Sequence, residues 1–251
     1  MVRLRHIARI IAYGTAGFII AALSGALFSG HSLQALDLRP QTVQAGVPAP
    51  EPVRSADFGA WSYKAGRNDK GILEATVVYD SNSVKGLRAY AAANRAAAAQ
   101  IAALGGPVEI QVVFREPLGL EEYRAWASAL GLAADTVELR TLDAVGQRST
   151  LSLFPRGKEP LPQAALDTQL AGANKAAGPL TVRGVFAVRG TVAATRLPEV
   201  LADKRIFLPD ITAAFIKRDL ATAGVADAAQ VRVTVFQPYW QMEDLGLDSF
   251  R

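Results

Sequence analysis

Residues 10–28, IIAYGTAGFIIAALSGALF, form a stretch of nineteen residues without a charge, and Arg3, Arg5 and Arg9 stand just before it. About twenty apolar residues cross the hydrocarbon core of a bilayer as a helix. Because Lys and Arg are enriched on the cytoplasmic side of membrane spans, the arginines predict a cytoplasmic N-terminus at residues 1–9. The sequence therefore predicts a single-pass protein of the cell membrane, held in the lipid bilayer by residues 10–28, with an extracytoplasmic body.

A cleavable signal peptide is the alternative interpretation of the same segment. Signal peptides have the same charge polarity but a shorter apolar core of about 7–15 residues, so the length here favours an uncleaved signal-anchor. Two small-x-small sites, at residues 24–26 and 33–35, are the candidate cleavage sites, and cleavage would give a secreted protein. Gly17, Ala21 and Gly25 recur every fourth residue, which leaves open whether this helix contacts lipid or another helix.

The location of the charges argues against nucleic-acid binding. The sequence pI is about 9.5, but three of the 27 Lys and Arg residues precede residue 10, and the first acidic residue is Asp37. The rest of the chain therefore carries 24 basic and 23 acidic residues. A phosphate-backbone interface needs a local basic excess, and no run of Lys or Arg is longer than a pair.

The residue types present also restrict the chemistry. The chain has no cysteine, and its two histidines, His6 and His31, precede the predicted folded body. A His-based triad, a thiolate nucleophile and a zinc site are thereby excluded from that body, and neither S-x-x-K nor G-x-S-x-G is present. We therefore expect no catalytic residues, no metal site and no cofactor, and the alanine-rich, cysteine-free composition fits an exported bacterial protein.

The chain after the apolar segment divides by composition. Residues 29–60 contain four prolines among small and polar residues and predict an extended linker. Residues 61–160 predict a first α+β unit, 161–178 a connector, 179–237 a second α+β unit and 238–251 a C-terminal tail. The linker would hold the body away from the bilayer.

Hydrophobic periodicity predicts the elements of the body. Residues 72–79 and 108–115 alternate apolar and polar side chains, which predicts strands, and residues 118–132 predict an amphipathic helix. Residues 84–104 predict a long helix after a capping turn at residues 80–83. Its inward stripe is Val84, Leu87, Ala91, Asn94, Ala98 and Ile101.

A weak internal repeat suggests how the body is built. Residues 106–114 align with residues 178–186, seventy-two positions on, and the alignment matches Phe114 with Phe186. A duplicated β-α-β unit explains the match, and so does a shared order of elements without common ancestry. The predicted fold is α+β, with two βαβ-type units of ferredoxin-like or split-βαβ form, and one larger sheet is the main alternative.

Aromatic residues near the ends of the body are the candidate partner-binding residues. Trp61 and Tyr63 open the body, Tyr239 and Trp240 close it, and Trp126 lies on the helix predicted over residues 118–132. Such residues can form a patch for another protein or a ligand. The alternative is that the two ends pack against each other and seal the domain.

Together these features predict a non-catalytic, membrane-anchored extracytoplasmic protein. Its expected role is a protein–protein interaction module or a subunit of a cell-envelope assembly, with another envelope protein as partner. One alternative is a secreted or surface-held protein that binds a glycan or small molecule. The other is an exported hydrolase that uses neither His nor Cys.

Overall fold

Nine strands and six α-helices make up the part of the chain that this computed structural model describes, residues 51–103, 105–157, 159–235 and 238–247. The strands form two sheets, which confirms the predicted α+β class. The strands are β1 (Glu51–Asp57), β2 (Trp61–Arg67), β3 (Leu73–Tyr79), β4 (Pro107–Leu118), β5 (Ala133–Leu142), β6 (Arg148–Leu153), β7 (Thr181–Ala193), β8 (Ile206–Asp210) and β9 (Arg232–Thr234). The helices are α1 (Val84–Ala102), α2 (Leu120–Leu130), α3 (Gln163–Ala177), α4 (Leu197–Ala202), α5 (Thr212–Thr222) and α6 (Tyr239–Asp244).

The N-terminal predictions fall mostly outside these residues. The predicted membrane segment at 10–28, the arginines before it and most of the linker lie outside the described residues. Within the described ranges, no helix is both long enough and apolar enough to cross a membrane.

The body begins earlier than the sequence predicts, because β1 lies within the range assigned to the linker, 29–60. The only apolar residues of β1 besides Pro52 are Val53 and Ala56, which do not alternate, so periodicity gives no sign of a strand. Backbone pairing to β2 forms it instead, with a register shift between Pro52 and Arg54. An edge strand tolerates both the proline and the irregular pairing.

The smaller sheet has the strand order β1-β2-β3-β9. Strands β1 to β3 are antiparallel neighbours, and β9 runs parallel to β3. The predicted alternation of β3 is confirmed, since Leu73, Ala75 and Val77 are buried while the residues between them are exposed.

The larger sheet has the order β6-β5-β7-β4-β8, with every neighbouring pair antiparallel. Strands β4 and β5 are therefore parallel to each other with β7 between them, and α2 connects them. Strands β6 and β7 are related in the same way across β5, with α3 as their connection. Strands from the predicted units 61–160 and 179–237 thus share one sheet, and residues 161–178 do not separate two sheets.

The two faces of the five-stranded sheet support two cores. On the helix-side face, Val108, Ile110 and Val112 of β4 are buried in a core to which α2, α3 and α4 contribute. On the second face, Val113 and Phe207 share a cluster with residues of the four-stranded sheet, α1 and α5. The β4 alternation that predicts a strand also separates these two environments.

Helix α1 contributes to both cores. Its buried residues are Leu87, Tyr90, Ala91, Asn94, Ala98 and Ile101. Five of the six predicted stripe positions are therefore confirmed. The Ser83 hydroxyl caps the helix by accepting a hydrogen bond from the Gly86 N–H at 2.9 Å, a contact typically worth about 1 kcal/mol.

The repeat alignment does not preserve the buried faces. Phe114 belongs to the helix-side core, whereas its aligned partner Phe186 belongs to the second-face core. The reason is irregular pairing of β7 with β5, whose register shifts between Glu138 and Leu139. Gly184 has a φ of +139° there, and a Cβ atom at this position would lie 2.3 Å from the Leu118 carbonyl oxygen. Only glycine fits this approach.

Candidate functional site

Three of the predicted partner-binding aromatics, Trp61, Tyr63 and Trp126, are buried. Trp61 is 5% exposed and Tyr63 1%, and both join Phe58 and Phe215 in one aromatic cluster. Phe58 is the exposed member at 38%. Trp126 is 8% exposed and belongs to the helix-side core, whereas Trp61 and Tyr63 belong to the second-face core. A partner would therefore reach the Trp61 cluster through Phe58.

Tyr63 also belongs to a polar group at the rim of this cluster. Its hydroxyl donates to Asp219 of α5, and Arg54 of β1 contacts the same carboxylate at 2.5 and 3.0 Å. Burial, followed by the hydrogen bond to Asp219, raises the pKa of Tyr63 to about 12. The bonds from Arg54 and Tyr63 lower the pKa of Asp219. The group fastens α5 to the four-stranded sheet.

The C-terminal aromatics lie on α6, which packs on the second face. Trp240 is half-buried, and its ring centroid lies 4.4 Å from Cζ of Arg140. The Phe186 ring lies 4.7 Å from the same atom, and Glu243 of α6 forms an ion pair with this arginine. Arg140 is 1% exposed. Through its contacts with Trp240 and Glu243, this buried guanidinium anchors the C-terminal helix to the sheet.

A third polar group is fully enclosed where α1, β8 and α5 meet. Tyr90 donates to Asp210 at 2.8 Å, and its oxygen lies 2.7 Å from the Thr212 hydroxyl. The Asn94 amide oxygen accepts from the Ile211 N–H at 2.9 Å and from the Thr212 hydroxyl at 3.1 Å. Burial raises the pKa of Asp210 and that of Tyr90. The group stabilises the start of α5 and is closed to substrate.

The open part of the second face forms the candidate site, a depression of about 230 Å³ that we call the sheet-face cleft. Strands β4, β5 and β7 form its floor, and the residue that follows β6 forms a wall. Its lining residues are Gln111, Thr136, Glu138, Phe154, Ala187, Val188 and Arg189.

Both signs of charge are present in the cleft. Glu138 accepts a hydrogen bond from the Ser152 hydroxyl at 2.7 Å, and burial raises its pKa against the opposing effects of Ser152 and Arg189. Arg189 is half-exposed and donates to Asp135 at 2.9 Å and to Thr136 at 3.2 Å. A carboxylate and a guanidinium on one floor can recognise paired polar groups of a binding partner.

The strand beside the cleft offers a second means of contact. Among the described residues, β6 is the last strand of its sheet and pairs only with β5. Phe154, directly after β6, is 61% exposed, and Val145 at the β5–β6 turn is 87% exposed. Edge strands can pair with an extended segment of another chain, and large exposed apolar residues favour such contacts.

Sequence reasoning missed this site. The pattern of residues 148–154, RSTLSLF, contains the needed clue: Leu151 and Leu153 alternate inward, so Phe154 falls on the opposite face with Ser152 and Thr150. Glu138 and Arg140 lie on the same side of β5 and also indicate that this face is not a purely apolar core, because charged residues on a central strand need either water or a partner.

Comparison of the chain with protein-family models, with curated proteins and with solved structures finds no match in any of the three. The geometry of the cleft and of β6 is therefore what carries the functional proposal.

Proposed function

We propose that this protein is a non-catalytic, membrane-anchored extracytoplasmic module that binds an extended segment of another envelope protein at β6 and the sheet-face cleft. The observation that carries the proposal is the position of Phe154, 61% exposed at the end of an edge strand and at the wall of the cleft. An added strand would pair with the β6 backbone, and its side chains would reach Phe154 and the cleft floor.

The composition of this surface suits a protein partner. An apolar anchor beside polar residues is the usual arrangement of a protein interface, where the anchor supplies affinity and charged neighbours supply specificity. Here Phe154 is the anchor, and Glu138 and Arg189 are the charged neighbours.

The size of the cleft gives less support to the small-molecule alternative. Small-ligand sites typically enclose about 300–1,000 Å³, and this cleft encloses about 230 Å³. A surface-held glycan or small-molecule binder therefore remains the second choice for this face of the sheet, and an exported hydrolase the third.

Membrane attachment through residues 10–28 is part of the same proposal and rests on the uncharged nineteen-residue segment. N-terminal sequencing of the mature protein tests it. The anchor predicts a chain that keeps residues 1–28, whereas a start at Leu27 or Leu36 would mean that the segment is cleaved.

The finer description of the fold is also a proposal. We infer two split β-α-β units, supported by the connections β4-α2-β5 and β6-α3-β7 within one sheet. The opposite placement of Phe114 and Phe186 argues against a duplication in the register of the sequence repeat.

Co-purification with matched variants tests the partner site. The full chain is extracted from its native membranes in detergent as wild type, as Phe154→Lys and as Val78→Lys. Val78 is the control because it is 57% exposed on β3, away from the cleft. We expect a defined partner to accompany the wild type and Val78→Lys but not Phe154→Lys. Equal recovery of the partner with both variants, or purification of the wild type without any partner, would contradict the proposal.

A further inference from the structure

A second concavity, of about 420 Å³, lies between α1, α4 and the start of β8. We call it the basic pocket, and its lining residues are Arg95, Arg115, Leu201, Ala202, Asp203, Lys204 and Ile206. It shares no lining residue with the sheet-face cleft. We propose that the basic pocket binds the phosphate group of a phosphorylated small molecule or lipid headgroup.

Both guanidinium groups of the pocket are held in place by backbone carbonyls. Arg95 reaches from α1 and donates to the Leu201 carbonyl at 2.9 Å and to the Ile206 carbonyl at 2.7 Å. Arg115 donates through Nε to the Lys204 carbonyl at 3.0 Å, and its guanidinium lies 5.6 Å from the Phe207 ring centroid. These contacts fix the two cations without using all of their N–H groups.

The positive charge of the pocket is not balanced by its own carboxylate. Asp203 is already bound by Arg205, with contacts at 2.7 and 3.0 Å, and Arg205 also contacts Glu122 at 2.7 Å. Within the described ranges, neither Arg95 nor Arg115 has a carboxylate at ion-pair distance. Burial and the charge of Arg115 lower the pKa of Arg95, as expected for neighbouring uncompensated cations.

The donor set indicates the class of ligand. Guanidinium groups match the oxygen geometry of phosphate, and the Lys204 ammonium adds a third cation at the rim. The volume falls within the range of small-ligand sites and exceeds what a phosphate ion alone would fill. A phosphate ester therefore fits better than the free ion, and its source is either a soluble metabolite or an anionic lipid.

Titration of the full chain in a zwitterionic detergent tests the proposal. Phosphate at fixed ionic strength is one arm, a soluble phosphate monoester is the second, and phosphatidylglycerol mixed into the micelles is the third. We expect saturable thermal stabilisation in at least one arm. A response to phosphate or the monoester identifies a soluble ligand, and a response to phosphatidylglycerol alone identifies a lipid headgroup.

Matched variants locate the effect. Lys204 is exposed, and its side chain donates no hydrogen bond to the described residues, so Lys204→Gln should preserve the fold. Losing one charge-assisted contact should weaken binding about tenfold or more in Lys204→Gln and in Arg115→Gln. Lys64→Gln, which removes an exposed lysine of β2, should bind like the wild type.

Two results would overturn the proposal. One is the absence of saturable stabilisation of the wild type in all three arms. The other is equal affinity of Lys204→Gln, Lys64→Gln and the wild type, which would mean binding elsewhere. Neither result bears on partner binding at β6, because the two surfaces share no residue.

Discussion

The second face of the five-stranded sheet has two halves of opposite character. In the covered half, Val113, Phe186 and Phe207 are at most 5% exposed and share a core with the four-stranded sheet. In the open half, the same sheet presents Glu138, Arg189 and the nearby Phe154. Buried apolar area stabilises a fold by about 25 cal/mol per Å², so only the covered half contributes substantially to folding. The open half is available for binding.

Arg140 marks the boundary between the halves. It extends from β5 two residues after Glu138, yet it is buried between Phe186 and Trp240 and paired with Glu243. A charge on this face is thus enclosed where α6 supplies a partner, and left at the surface where none of the described elements covers it. The comparison predicts that substitutions in the two halves separate stability from binding.

The largest contrast is expected between two phenylalanines. Phe186→Ala should reduce the free energy of unfolding by about 3–5 kcal/mol, because it empties a packed site in the covered half. Phe154→Ala should change it by less than about 0.5 kcal/mol, because most of this side chain is already in water. Denaturant unfolding of the full chain in detergent measures both. Similar losses in the two variants would remove the distinction between the halves.

Breaking the ion pair between Arg140 and Glu243 at this boundary should also lower the free energy of unfolding substantially. Glu243→Gln leaves the buried Arg140 without its carboxylate, and removing one partner of a buried ion pair typically costs about 3–5 kcal/mol. The double variant Arg140→Met with Glu243→Leu should recover most of that loss, because no buried charge is left unpaired, and Arg148, which also contacts Glu243 at 3.3 Å, is solvated. The same unfolding measurement applies, and a double variant no more stable than Glu243→Gln would show that the charge is not the cause.

Removing the enclosed Tyr90 hydroxyl should cost less stability than breaking the ion pair. Tyr90→Phe removes the hydrogen bond to Asp210 Oδ2 and the contact with the Thr212 hydroxyl, while the bonds of Thr212 to Asp210 Oδ1 and Asn94 remain. Losing this buried hydroxyl should cost about 1–3 kcal/mol. Tyr123→Phe is the matched control, since the Tyr123 hydroxyl is buried and has no hydrogen-bond partner among the described residues. It should be neutral or stabilising. Equal destabilisation by both changes would assign the loss to packing rather than to the hydroxyl.

The smallest effect on stability is expected from Asp219, and it should depend on pH. The pKa of Asp219 is lowered below its ordinary 3.8 by Arg54 and Tyr63, so its ionised form stabilises the fold at neutral pH. That contribution is lost as pH falls through the lowered pKa. The stability difference between the wild type and Asp219→Asn should therefore be constant above about pH 5 and shrink as the pH falls below about 4. A difference that does not change with pH would exclude this linkage.

Local features of the fold were readable from the sequence, and non-local ones were not. The stripe of α1 and the alternation of β3 follow from side-chain period, because one face of each element is buried. Strand β1 has no such period, and the interleaving of β7 between β4 and β5 depends on long-range pairing. The candidate site was missed for a related reason. The exposure of Phe154 depends on which side of the sheet the other elements leave open.

Site-specific photo-crosslinking tests most directly the claim that the open half binds a partner. Benzoylphenylalanine is placed at position 154 or at position 78 of the full chain, which is irradiated in the cells that produce it. Both positions are well exposed, at 61% and 57%, so accessibility is matched. We predict one adduct of defined mass from position 154 and none from position 78. Adducts of the same mass from both positions, or none from position 154, would contradict the proposal that β6 and the sheet-face cleft form the binding surface.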